Sequence, residues 1–535
     1  MTETRGGPAE GPAGGAGAAR PRIRHNDYSP LVPPALGSWT PELTVSVVIP
    51  AHGGGHRLDL TLAALAAQTY PARLMEVVVV DDGSEPPLRL PEIRPEHTRL
   101  VRAPGDGWGA GHAVNTGADR SDGEIVQRLD ADMVVFREHI EALMRWQHLT
   151  DYVVTIGGKV FAEEPPLTAA EVHRAVREGT VESLFDMAAA VPSSTEATIR
   201  RLDGLRASKN PYHVCTGATV SVRRSLFRRV GGLDPAVRRG QDTEFAYRLA
   251  QAGAVFVPDL SARAVHLGLP AQRVDTEATV RVVAPFLAHR VPLRRDLRKE
   301  PGRRWLVPYV EVVFDVAGAT EPQVRAAVTA ALGGSLPDVA VTLAGPWDEL
   351  PEGRHRVLGD PRLEARLVRE HFRHDPAVRL AAAAADPAPV PFRYSGPVDV
   401  PLARRALETM IKVLTEERAG LLLIALPGGR TARLERTEAV NRARLLAAPG
   451  EDLDQVIEQT HGVVREQARR FWPAPAGDTR PDAPAPAQTG TPAPRRAEPD
   501  ADDPGPPGEG DTRAAAPHPS ARRLVGRLRT VLRGR

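Results

Sequence analysis

The sequence is short of several things, and each shortage excludes something. It holds one cysteine, Cys215, in 535 residues. No disulfide can form within the chain, which suits a reducing compartment. It has no run of about 18 apolar residues, so nothing reads as a membrane-spanning helix. The opening stretch, MTETRGGPAEGPAGGAGAAR, has no apolar core segment, so no secretory leader is expected there. Charge is nearly balanced, with 69 Lys and Arg against 67 Asp and Glu, a net charge of +2. That balance argues against a nucleic-acid partner. Two catalytic signatures also fail. The 52-HGGG-55 stretch follows a strand, as an esterase oxyanion loop does, but no G-x-S-x-G elbow accompanies it. The loop 105-GDGWGAG-111 lacks the G-x-G-x-x-G spacing of a dinucleotide site.

What is present is an alternation of strand and helix patterns. The runs 43-LTVSVVIP-50 and 75-MEVVVVDDG-83 read as strands buried on both faces, with 58-LDLTLAALAAQTY-70 as the helix between them. A strand 98-TRLVRAP-104, a helix over 112–120 and a strand 124-EIVQRLDAD-132 follow. The rhythm restarts with strand 309-YVEVVFDV-316, helix 321-EPQVRAAVTAAL-332 and strand 338-DVAVTLAGP-346. The expected organisation is therefore a disordered segment 1–40, an α/β domain 41–272 and a second α/β domain 273–473. A disordered Pro/Ala-rich linker 474–519 and a basic amphipathic helix 520–535 complete it. Placing 420-GLLLIALPGG-429 beside 123-GEIVQRLDAD-132 leaves two readings of the second domain: a degenerate repeat of the first, with Pro427 and Gly429 in place of Asp130 and Asp132, or an unrelated α/β domain.

Asp130 and Asp132 end an apolar strand, where two carboxylates repel each other. A turn there can aim both at one point, and oxygen ligands of that kind suit Mg²⁺ or Mn²⁺. The C-terminal edge of a parallel sheet is also where ligands bind in open α/β folds. Asp242 directly precedes a stretch with Phe245 and Leu249 on one stripe, so it is also a candidate helix cap. Glu244 and Arg248 are spaced to pair along that helix.

Five motifs in order resemble the family 2 glycosyltransferases, inverting enzymes of the GT-A fold, over about residues 45–268. They are 45-VSVVIPAHG-53, 62-LAALAAQTYP-71, 76-EVVVVDDGS-84, 115-NTGADRSDGEIVQRLDAD-132 and 231-GGLDPAVRRGQDTEFAYRLAQAG-253. The resemblance implies a Rossmann-like, mostly parallel sheet with helices on both faces. It implies nucleotide-sugar contacts from Pro50, Ala51, His52, Asp81, Asp82, Asn115 and Asp130. Asp130, Asp132 and His266 would hold Mn²⁺ or Mg²⁺, and Asp242 would be the general base. Gln241 stands where the family usually has Glu, and Val114 where relatives often carry Arg. The stretch 467-QARRFW-472 is one residue too long for the Q-x-x-R-W of processive synthases, and no spanning helices follow it.

The expected activity is metal-dependent, inverting transfer of a hexosyl or N-acetylhexosaminyl group from a nucleotide-sugar donor. UDP is the expected nucleotide, and the expected acceptor is a hydroxyl of a cell-envelope or polysaccharide glycan, free or lipid-linked. The work would be cytoplasmic, with residues 520–535 making a peripheral contact at the inner face of the membrane. The alternatives are a non-catalytic glycan- or partner-binding scaffold and, behind it, a sugar nucleotidyltransferase. The latter needs a basic, Gly-rich phosphate loop, for which 52-HGGGHR-57 supplies only Arg57.

Overall fold

The computed structural model describes residues 20–268, 276–300, 302–354 and 356–473. The expected linker 474–519 and basic helix 520–535 lie outside the described residues, as does the segment 1–19. Eleven strands precede residue 268. They are β1 (Val45–Ala51), β2 (Met75–Asp81), β3 (Thr98–Arg102), β4 (Ile125–Leu129), β5 (Met133–Val135), β6 (Val153–Gly157), β7 (Val160–Ala162), β8 (Val191–Pro192), β9 (Thr219–Arg223), β10 (Val255–Asp259) and β11 (Ala264–Leu267). Seven of them form a sheet in the order β3-β2-β1-β4-β9-β6-β10, with only β9 antiparallel to its neighbours. The Val and Ile runs of β1 and β2 are buried on both faces, as the centre of a helix-covered sheet requires.

The helix Ala110–Asp119 packs tightly on this sheet. Gly117 makes the close approach possible, because a methyl group there would collide with Val48 and Val80. A smaller sheet, β5-β11-β7-β8, stands at the carboxyl edge of β4.

Seven further strands follow: β12 (Val310–Asp315), β13 (Val339–Ala344), β14 (Val378–Ala381), β15 (Phe392–Ser395), β16 (Leu421–Ala425), β17 (Thr431–Arg436) and β18 (Val463–Gln467). Their order is β14-β13-β12-β15-β17-β16-β18, with β17 the antiparallel member. Numbered by chain order within each sheet, both sheets run 3-2-1-4-6-5-7, and strand 6 is reversed in both.

This common order corrects the sequence pairing of 420–429 with 123–132. In sheet position β16 corresponds to β6, and the counterpart of β4 is β15. Val45 opposes Ile125 as Val310 opposes Phe392, so this register carries Asp130 to Pro397 and Asp132 to Asp399. Asp399 is held by Arg430, whose Nη1 lies 2.7 Å from both of its oxygens.

Residues 20–40, expected to be disordered, are packed. Ile23, Tyr28 and Leu31 are buried against both sheets' strands and helices. Asn26 bonds Phe256 and Leu205 backbone groups of the first unit, while the His25 N–H donates to Thr460 O of the second. The segment is a strap across the two. Among the described residues no helix is long and apolar enough to cross a membrane.

Candidate active site

Strand β4 ends at Leu129, and the chain turns through Asp130 and Asp132 before β5. The Asp130 N–H is held by Ala218 O at 3.2 Å, so the turn hangs on the carboxyl edge of the central sheet. Strand β11 pairs antiparallel with β5 and sets His266 opposite Met133, one residue from Asp132. The Leu267 N–H closes the arrangement on Asp132 O at 2.9 Å. Asp130, Asp132 and His266 thereby each present a ligand atom within 4.8 Å of the others. His266 Nε2 is 3.6 Å from Asp132 Oδ1, and its ring lies 4.9 Å from that of Phe161.

Two carboxylate oxygens and an imidazole nitrogen, all half-buried, form a donor set that fits a divalent cation. Burial pushes the Asp132 carboxyl above its usual range; His266 and Arg57 oppose that, and Asp130 adds to it. A cation between the two acids would remove the repulsion.

The cationic residues around the site were not assigned roles from sequence. Arg128 is the penultimate residue of β4 and its one half-buried position. Its Nη1 donates to Asp242 Oδ1, and its Nη2 is 3.2 Å from Asp130 Oδ1. Lys159 is buried beside the turn, with Nζ at 3.2 Å from both Thr216 O and Oγ1. Burial holds its ammonium below the usual range, and Asp130 offsets part of that. Arg57 bonds Glu164 at 2.7 Å and reaches Asp132 Oδ2 at 3.9 Å. The sequence signal for Arg128 was faint but real: Gln127 and Arg128 stand side by side in a strand whose neighbours are buried on both faces.

Asp242 lies in the first turn of the helix Gln241–Gln251, and the cap is Gly240, in the left-handed region at φ 85°, rather than Asp242 itself. The carboxylate is thus free of the capping role. Its Oδ2 has no hydrogen bond among the described residues. Arg128 and Asp242 border a narrow, mostly apolar pocket walled by Val126, Val220, Phe227 and Phe245. Gly217 lies against both members of the pair, and any side chain there would strike them. The expected Glu244–Arg248 pair is present, in parallel contacts of 2.6 and 2.7 Å, and Arg248 also holds Gly232 O.

The nucleotide-side residues divide. Pro50 and Ala51 end β1 beside Asp81, and His52 Nδ1 lies 2.9 Å from Asp82 O. Asp82 accepts the Gly109 N–H at 2.6 Å, tying the Gly-rich loop to the β2 turn. Asp81 is buried and used by its own turn, accepting the N–H groups of Ser84 and Leu88. Burial would raise its carboxyl, but the hydrogen bonds from Ser84 and Leu88 prevail and hold it low. Asn115 is also engaged, giving its amide to Leu233 O at 2.8 Å and accepting the Leu233 N–H at 2.9 Å. Both ends of that amide lock helix Ala110–Asp119 to the loop before Asp242, so the structure does not bring Asn115 into the group around Asp130.

The family model described as Glycosyl transferase family 2 matches residues 46–231. Among curated proteins the chain is similar to a chondroitin synthase from Escherichia coli, 24% identical over 63% of this chain and 50% of that protein. It is similar to a hyaluronan synthase from Pasteurella multocida, 24% identical over 60% of this chain and 35% of that protein. The chain thus spans half or less of the length of these relatives. Among solved structures, a mannosyltransferase from Pyrobaculum calidifontis in complex with GDP-Man and Mn²⁺ aligns at 19% identity and a TM-score of 0.32, over 49% of this chain and 67% of that one. Most of the first sheet falls within residues 46–231, the stretch that matches the family 2 glycosyltransferases.

Proposed function

We propose that the carboxyl edge of the first sheet is the active site of an inverting, metal-dependent glycosyltransferase acting on a nucleotide-sugar donor. The observation that carries this reading is the convergence of Asp130, Asp132 and His266 at one point, joined through Arg128 to Asp242. A divalent ion, Mn²⁺ or Mg²⁺, would act there as a Lewis acid toward the departing nucleoside diphosphate. Asp130, Asp132 and His266 are the residues that would hold it.

The remaining work falls to the chain itself. Pro50, Ala51 and His52, with Asp82, border the space for the nucleotide. A sugar hydroxyl is a poor nucleophile at neutral pH, and a positioned carboxylate that takes its proton supplies about 10²–10⁴ in rate. Asp242 fills that role: Arg128 fixes one oxygen, and Oδ2 remains for the acceptor hydroxyl. Attack opposite the diphosphate inverts the anomeric centre.

UDP is the proposed nucleotide and a polysaccharide hydroxyl the proposed acceptor, in keeping with the chondroitin and hyaluronan synthases that the chain resembles. The catalytic unit is proposed to end near residue 272, and the second unit, to 473, to be a non-catalytic repeat. Its shared strand order, and Pro397 with an arginine-bound Asp399 in the places of the paired acids, support that division. A cytoplasmic location at the inner membrane face is part of the same proposal.

The test is a donor-hydrolysis screen over UDP-, GDP- and dTDP-sugars with and without Mn²⁺. Turnover of one donor class that requires metal, with an inverted product anomer, is the expected result. Metal-independent turnover, or a retained anomer, would refute the reading.

A further inference from the structure

A second cavity lies between the two units, where the strap, the segment 208–211 and the second unit's helices meet. It has about 900 Å³ of space, part of it open to solvent. Four basic side chains line it, Lys209, Arg418, Arg436 and Arg442, against one carboxylate, Glu438. None of the four has a carboxylate within 4.0 Å among the described residues.

The arginines differ in what holds them. Arg442 is buried and donates to the carbonyls of Gly253, His25 and Ala254, so it staples the strap to the first unit. Arg436 donates Nε to Ala419 O at 3.0 Å and Nη2 to Thr415 Oγ1 at 3.3 Å, and its Nη1 has no hydrogen bond among the described residues. Arg418 and Lys209 make no hydrogen bond there at all, and Arg418 sits in the left-handed region at φ 52°. Carbonyls orient the Arg436 and Arg442 guanidinium groups but leave their charge unbalanced.

The two histidines in the wall respond to that charge. Burial, then Arg418, Arg24, Arg442 and Arg436, depress His25 to about 4. Burial, then Arg442, His25, Arg436 and Arg24, hold His461 well below its usual range. Both rings are neutral at pH 7, so they neither add to the charge nor cancel it.

We propose that this cavity binds a diphosphate group, with Lys209, Arg418 and Arg436 as its oxyanion contacts. Four cations against one carboxylate leave an excess of three. A single carboxylate ligand would offset one of these, whereas two phosphoryl groups offset about three. Guanidinium forks also match phosphate oxygens in pairs. The diphosphate would be that of a free nucleotide or of a lipid- or glycan-linked group.

The test is calorimetric titration of the full chain with inorganic pyrophosphate and, separately, with UDP. EDTA is present throughout to silence the Asp130–Asp132 edge, and the titration is repeated in Asp132→Ala. The expected result is saturable one-to-one binding, unchanged in Asp132→Ala. Lys209→Gln combined with Arg418→Gln should weaken it at least tenfold. Glu438→Gln removes the competing carboxylate and should tighten it several-fold, a gain that misfolding cannot produce. UDP binding more tightly than pyrophosphate would support a nucleotide as the source, and equal affinity a bare diphosphate. Absence of saturable binding in EDTA, or binding that none of the three substitutions moves, overturns the proposal.

Discussion

Arg128 bridges Asp242 and Asp130: one guanidinium nitrogen donates to Asp242 Oδ1, and the other lies 3.2 Å from Asp130 Oδ1. The proposed base and a proposed metal ligand, far apart in sequence, are thus held by one side chain. That side chain is only 12% exposed, so its hydrogen bonds to charged groups are each worth about 1.5–3 kcal/mol. Arg128→Met should lower unfolding free energy by about that amount in urea titration and reduce kcat as well. Unaltered stability together with unaltered kcat would remove Arg128 from the account.

Asp242→Asn keeps the size of the side chain and removes the proton acceptor. Steady-state kinetics should show kcat down by about 10²–10⁴, with the donor KM changed less than about threefold. A large rise in KM at constant kcat would instead make Asp242 a binding residue.

Gly217→Ala introduces a methyl group against Arg128 and Asp242. Overpacking of this kind costs about 1–3 kcal/mol, but here the atoms displaced are those of the proposed base. The variant should stay folded by circular dichroism and lose more than tenfold in kcat. Full activity would show that the placing of the pair does not matter to turnover.

Acid should destabilise the fold through its buried histidines. His139 is fully buried, bonded to Arg263 O and Thr219 Oγ1, and burial lowers it from 6.5 to about 4. His213 is lowered to about 4 for the same reason. Between those values the unfolded chain binds protons that the folded chain refuses, so stability falls as pH drops from 6.5 toward 4. Each such histidine contributes on the order of 3 kcal/mol across that window. Denaturant titrations from pH 7 to pH 4.5 should show the decline, and His139→Gln should make it shallower, leaving the part due to His213. A flat profile in the unaltered protein would contradict the burial argument.

The strands of the first sheet were legible because β1 and β2 carry unbroken Val and Ile runs, which only a two-sided core accepts. The paired acids were legible because charge at the end of such a strand needs a reason. His266 depended on resemblance, since its approach to Asp132 is made by the antiparallel pairing of β5 and β11, which leaves no local trace. The equivalence of 420–429 with 123–132 failed for a similar reason. Strand β16 is an apolar run like any other, and its place is set by long-range pairing with β17 and β18. The strap was missed because Gly, Ala and Pro dominate the average composition of residues 1–40 and hide Ile23, Tyr28 and Leu31. Arg128 was missed because a polar side chain inside a strand says that a partner exists and not which one.

The central claim is that Asp130, Asp132 and His266 seat the divalent ion that the donor needs. The direct measurement is calorimetric titration of UDP-sugar into the protein with Mn²⁺ and with EDTA, for the unaltered chain and for Asp132→Ala. The account predicts that Mn²⁺ strengthens donor binding at least tenfold in the unaltered chain and leaves Asp132→Ala unmoved. An equal Mn²⁺ effect in both proteins would contradict it.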